Sequence, residues 1–98
     1  FHKLNINDVI MKSLRLTYNV LHVSGIEAKL DLQDQLPYVL ADEDKIQSVF
    51  VNLITNAVQA MSPGGILSLK TYYEENEDYL AIECKDTGHG IPPEIMDH

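Results

Sequence analysis

Asp42–Met61 reads DEDKIQSVFVNLITNAVQAM, and the spacing within it decides how the rest of the chain is read. Ile46, Val49, Phe50, Leu53, Ala57 and Met61 recur at the intervals that gather side chains on one side of an α-helix. That side can face a core. Asn52, Asn56 and Gln59 fall on a neighbouring stripe, which Lys45 and Ser48 continue toward the N-terminus. Carboxamides are poor helix formers because they compete for backbone hydrogen bonds, so two asparagines one turn apart beside an apolar face ask for a reason. Taken alone, the spacing fits solvated surface residues or side chains bonded across to a loop. Asp42 suits the N-cap, with Glu43 and Asp44 in a first turn that favours negative charge. The breaker cluster Ser62-Pro63-Gly64-Gly65 ends the helix and turns the chain.

Upstream, Phe1–Ile6 alternates loosely and predicts a short strand. Asn7 is a fitting N-cap for a first helix whose stripe, Ile10, Leu14, Thr17 and Leu21, runs to a natural stop at Gly25. Residues 27–32 alternate, with Ala28, Leu30 and Leu32 opposite Glu27, Lys29 and Asp31, which predicts a half-buried strand. Tyr38–Ala41 reads as a short extended segment. Downstream, Ile66–Tyr73 and Tyr79–Asp86 are β-rich runs joined by the acidic loop Glu74–Asp78, and they predict a hairpin. Leu80, Ile82, Cys84 and Asp86 share one face of the second run. A carboxylate at the end of an apolar face must reach water or be offered donors, because an unpaired buried charge costs several kcal/mol. Thr87-Gly88-His89-Gly90-Ile91 follows directly, and its glycines allow an approach that a β-carbon would block.

The 98 residues fit one domain, 1–98. A hydrophobic share of 45% with 22% charged residues excludes a disordered or fibrous chain. No apolar run approaches the ~18 residues of a membrane span, and the N-terminus has no signal-peptide pattern. The expectation is a soluble, cytoplasmic domain without direct membrane contact, in a parent whose anchoring is left open. The single cysteine, Cys84, cannot form an internal disulfide and reads as a small core residue. A net charge of −8 argues against nucleic acid as a partner and requires any anionic ligand to be held by local donors, helix ends or a metal ion.

With both stretches in view, the chain resembles the ATP-binding catalytic domain of sensor histidine kinases, in the superfamily shared with gyrase-type, heat-shock-chaperone and mismatch-repair ATPases. Asn52-Leu53-Ile54-Thr55-Asn56-Ala57 is similar to the N box of that family, and Asp86-Thr87-Gly88-His89-Gly90 matches the D-x-G-x-G form of its G1 box. The resemblance implies an α+β fold, a two-layer α/β sandwich with a mixed sheet and helices on one face, incomplete at the C-terminus. It implies ATP and Mg²⁺ as cofactors, with Asn56 as the metal ligand. Asn52 would be the candidate catalytic position beside the phosphates, and Gln59 would stand where many relatives place a phosphate-binding lysine. Asp86 would accept from the adenine amino group, Gly88 and Gly90 would admit the base, and Ile91 would touch the ring. The expected partners are a dimerisation domain carrying the phosphoacceptor histidine and a response regulator.

Hydrolysing relatives carry a glutamate at position 52 as general base, a role asparagine cannot fill at neutral pH. The resemblance therefore implies phosphoryl transfer to a protein histidine. The alternatives are a hydrolytic ATPase of the same superfamily and a non-catalytic regulatory domain that kept the scaffold. His2, His22, His89 and His98 lack the phosphoacceptor context, in which an acidic residue follows the histidine on a helix. The family's F box, lid and second glycine box would follow residue 98, so the 98-residue chain by itself is expected to lack autokinase activity and to bind adenine nucleotides weakly or not at all.

Overall fold

Two runs of alternating residues build the sheet that carries the site. The computed structural model describes residues 1–61 and 64–87, together with the backbone of residues 94–97. In chain order the elements are β1 (His2–Leu4), α1 (Ile6–Leu16), α2 (Tyr18–Val23), β2 (Ile26–Leu32), β3 (Val39–Ala41), α3 (Glu43–Met61), β4 (Gly65–Glu74), β5 (Tyr79–Asp86) and β6 (Glu94–Asp97). The main sheet has the order β2-β4-β5-β6, with β2 parallel to β4 and the other pairs antiparallel. β1 and β3 form a separate antiparallel pair. The mixed α/β sandwich expected from the sequence is the fold observed.

β4 and β5 form the expected hairpin, with Leu69 opposite Cys84 and Thr71 opposite Ile82. Leu67, Leu69, Thr71, Leu80, Ile82 and Cys84 are buried on one sheet face. All but Thr71 join Ile6, Val9 and Ile10 of α1 and Phe50, Ile54, Ala57, Val58 and Met61 of α3 in a single hydrophobic core between the layers. At the hairpin tip the Tyr73 hydroxyl donates to Asp78 at 2.6 Å, and this bond to a carboxylate raises the Tyr73 pKa.

In four places the structure differs from the sequence reading. Asn5, not Asn7, caps α1: its side chain accepts from the Asn7 amide at 3.0 Å. Asn7 instead ties α1 to the sheet, donating to the Gln33 carbonyl at 2.8 Å and accepting from the Thr71 hydroxyl at 2.9 Å. The expected single first helix is broken at Thr17, whose φ of −101° and ψ of 5° separate α1 from α2. The buried Thr17 hydroxyl donates back to the Ser13 carbonyl at 2.8 Å, a local bond that competes with the helical ladder.

β2 is not half-buried. It forms an edge of the sheet, and only Ile26 along it is fully buried, with Leu30 41% exposed. Alternation gives two faces to a strand but cannot say whether a helix covers either of them. On α3 the buried set is Phe50, Ile54, Ala57, Val58 and Met61, while Val49 is exposed. Burying Ile54 and Val58 contributes roughly 1.5–3 kcal/mol each, against about 0.5 kcal/mol for a β-branched residue in a helix, so tertiary burial sets the rotation of α3.

Candidate functional site

Asp42 starts the helix as expected, its carboxylate accepting from the Asp44 amide at 3.0 Å and its carbonyl from the Ile46 amide at 3.1 Å. With the core side of α3 fixed by Phe50, Ile54 and Val58, Asn52, Asn56 and Gln59 are left exposed. None of the three makes a side-chain hydrogen bond to another described residue, so their amide groups are open to a ligand. Thr55, between the two asparagines, is different: its hydroxyl donates to the Val51 carbonyl at 2.9 Å and the Asn52 carbonyl at 3.1 Å. The helix thus presents two carboxamides one turn apart and ties up the hydroxyl beside them.

Asp86 is the last residue of β5 and pairs with Leu67, on the sheet face shared with Ile82 and Cys84, as the alternation predicted. It is half-buried. The carboxylate therefore stands at the end of the apolar floor on the side of the sheet that carries the helices. Gly88, Gly90 and Ile91, assigned to the same site by the sequence, lie outside the described residues, as do His89 and His98.

Sequence reasoning missed a contact that joins the two parts. The Thr87 hydroxyl accepts from the Ile66 amide at 3.3 Å and sits 3.6 Å from the Met61 sulfur, at the C-terminus of α3. Gly65 lies beneath it with φ +134°, and a β-carbon there would be 2.8 Å from both the Met61 sulfur and the Thr87 hydroxyl oxygen. The one signal available in the sequence was a hydroxyl residue next to Asp86.

Among the described residues three open clefts lie elsewhere. One is on the outer sheet face, lined by Lys29, Ser68, Lys70 and Lys85 among others, one lies along α1 around Lys12 and Arg15, and one lies between the chain's first residues and the start of α3, at Asp42 and Glu43. None includes the asparagines of α3 or Asp86. Lys12 in the second cleft is already paired to Glu43 at 2.8 Å.

The family profile described as histidine kinase-, DNA gyrase B- and HSP90-like ATPase matches residues 41–98. The chain belongs to that family. The match takes in α3 with its asparagines and Asp86 at the end of β5, so the family assignment and the geometry rest on the same elements. Within the family, the cell-division control histidine kinase PdhS of Brucella anthropi is 32% identical over 91 residues, which is 93% of this chain and 8% of PdhS. The chain thus spans less than a tenth of that relative's length. Among solved structures, the nucleotide-free catalytic domain of histidine kinase ThkA superposes with a TM-score of 0.82 at 22% identity, covering 94% of this chain and 62% of the ThkA domain. ThkA in complex with the response regulator TrrA superposes with a TM-score of 0.81 at 22% identity, over 94% of this chain and 27% of that one. These structures confirm the histidine-kinase ATPase fold.

Proposed function

We propose that residues 1–98 form the ATP-binding part of a two-component sensor histidine kinase, whose parent transfers the γ-phosphoryl of Mg·ATP to a histidine in a separate dimerisation domain and on to a response regulator. The observation that carries this reading is the pairing of two open carboxamides on α3 with a half-buried carboxylate at the end of β5, inside the matched part of the chain. PdhS is a histidine kinase, and ThkA is seen with a response regulator, which supports partners of that class. No described helix is long and apolar enough to cross a membrane, and the cytoplasm is the compartment the proposed partners imply.

Asn56 is the proposed Mg²⁺ ligand. Its side-chain oxygen is a hard neutral donor, suited to a cation that takes most of its ligands from phosphates and water. The described residues contain no group of three acidic, histidine or cysteine side chains that could hold a metal by themselves, so the phosphates would have to bring it. Bound there, Mg²⁺ would neutralise phosphate charge, which a chain of net charge −8 needs locally. Asn52 lies one turn earlier and Gln59 nearly one turn later on the same exposed side, placed for the phosphates. Asn52 can position but not deprotonate water, which favours transfer over hydrolysis. Asp86, which accepts but cannot donate when ionised, suits the adenine amino group and disfavours a guanine carbonyl. Gly88, Gly90 and Ile91 complete the proposed base pocket.

The test is calorimetric titration of the full-length protein with ATP, with and without Mg²⁺. Mg²⁺ is expected to tighten binding, and Asn56→Ala to remove on the order of tenfold of that gain. Alanine is the better helix former at an exposed site, so the loss cannot come from a weakened helix. Equal Mg²⁺ dependence in both proteins would remove Asn56 from the metal site.

A further inference from the structure

The β4–β5 ladder runs to the pair Leu67–Asp86 and stops. Continuing the register by one step would pair Ile66 with Thr87. Instead, the Ile66 amide donates to the Thr87 side-chain oxygen at 3.3 Å, so the hydroxyl takes the place a backbone carbonyl would have filled. The same hydroxyl faces the Met61 sulfur at 3.6 Å, and Met61 is buried at the end of α3. One side chain therefore touches the start of β4, the end of β5 and the end of the asparagine helix. Beneath it, a β-carbon at Gly65 would stand 2.8 Å from both the Met61 sulfur and the Thr87 hydroxyl oxygen, so the glycine lets the two side chains meet.

We propose that Thr87 is the positioning residue for Asp86: its hydroxyl ends the ladder one residue after the carboxylate and clasps that strand end to Met61, setting the carboxylate against the α3 wall. The inference rests on the reading of Asp86 as the adenine acceptor. A hydroxyl is required, because valine has the same shape but can neither accept from the Ile66 amide nor donate to sulfur. Serine retains both capacities. With the clasp gone, Asp86 stays in the chain but its angle to the base relaxes, and hydrogen bonds weaken steeply as they leave linearity. Binding of ATP, which depends on that angle, then falls more than binding of GTP, which does not use it.

The experiment compares ATP and GTP dissociation constants for the full-length protein and its Thr87→Val, Thr87→Ser and Asp86→Asn variants. Thr87→Val is expected to weaken ATP binding roughly five- to tenfold and to narrow the ATP-to-GTP ratio, while Thr87→Ser keeps both within about twofold. A purely structural role would lower both affinities by the same factor and leave the ratio unchanged, and that outcome overturns the proposal. If Asp86→Asn narrows the ratio and Thr87→Val does not, the adenine reading stands and the clasp falls. If Asp86→Asn leaves the ratio unchanged, the adenine reading fails and takes the clasp with it. Should Thr87→Val fail to fold, amide exchange in the unmodified protein decides: the Ile66 amide, which donates toward β5, is expected to be protected despite lying beyond the last β4–β5 pair, and exchange at the rate of an open amide overturns the clasp.

Discussion

Asp86→Asn is expected to weaken ATP binding by the full-length protein roughly 10- to 100-fold and to collapse its preference for ATP over GTP. A hydrogen bond to a charged group contributes about 1.5–3 kcal/mol, and each 1.4 kcal/mol is a factor of about ten in affinity. Asparagine keeps the shape of the side chain, so the fold is not strained. It replaces one acceptor oxygen with a donor amide, which opposes the adenine amino group and suits the guanine carbonyl. Both nucleotides should then converge in affinity, ATP by losing a bond and GTP by losing a repulsion. The measurement is competition between the two nucleotides for one fluorescent analogue. An unchanged ratio would place base recognition elsewhere in the chain.

The largest effect on stability is expected at Gly65. Its φ of +134° disfavours any L side chain, and a β-carbon there would crowd the Met61 and Thr87 side chains at 2.8 Å. Gly65→Ala should therefore cost roughly 3 kcal/mol, a large part of the 5–15 kcal/mol that holds a domain folded. Gly64 is the internal control. Its φ is +84°, but nothing lies within 4 Å of a β-carbon there, so Gly64→Ala meets backbone strain alone. It should cost about 1 kcal/mol. Denaturant midpoints of the two variants separate the terms, and equal losses would show that the Met61 and Thr87 side chains give way to a β-carbon.

The parts of this protein legible in its sequence are those fixed by local pattern. The N-cap at Asp42, the length of α3 and the β4–β5 hairpin follow from periodicity and breaker residues, and the face of Asp86 follows from strand alternation. The parts that were not legible depend on the packing of other elements. Whether β2 has a covered face depends on where α1 and α2 lie, and the rotation of α3 on which of Val49 or Ile54 meets the sheet. The exchange of roles between Asn5 and Asn7 depends on Gln33 and Thr71, which no local pattern connects to them. At the site, spacing alone left the asparagines of α3 as ordinary surface residues, and it was the resemblance to the N and G1 boxes that singled out both them and Asp86. The Thr87 contact was not legible, because it joins three elements whose proximity only folding creates.

Asn52 is proposed to favour transfer of the γ-phosphoryl group over its release to water. The fate of that group measures it directly. On incubating the full-length protein with γ-labelled Mg·ATP, the label should appear on the protein as an acid-labile, base-stable phosphohistidine, with little free phosphate before a response regulator is added. Sustained release of inorganic phosphate without phosphohistidine, reduced by Asn52→Ala, would contradict the account.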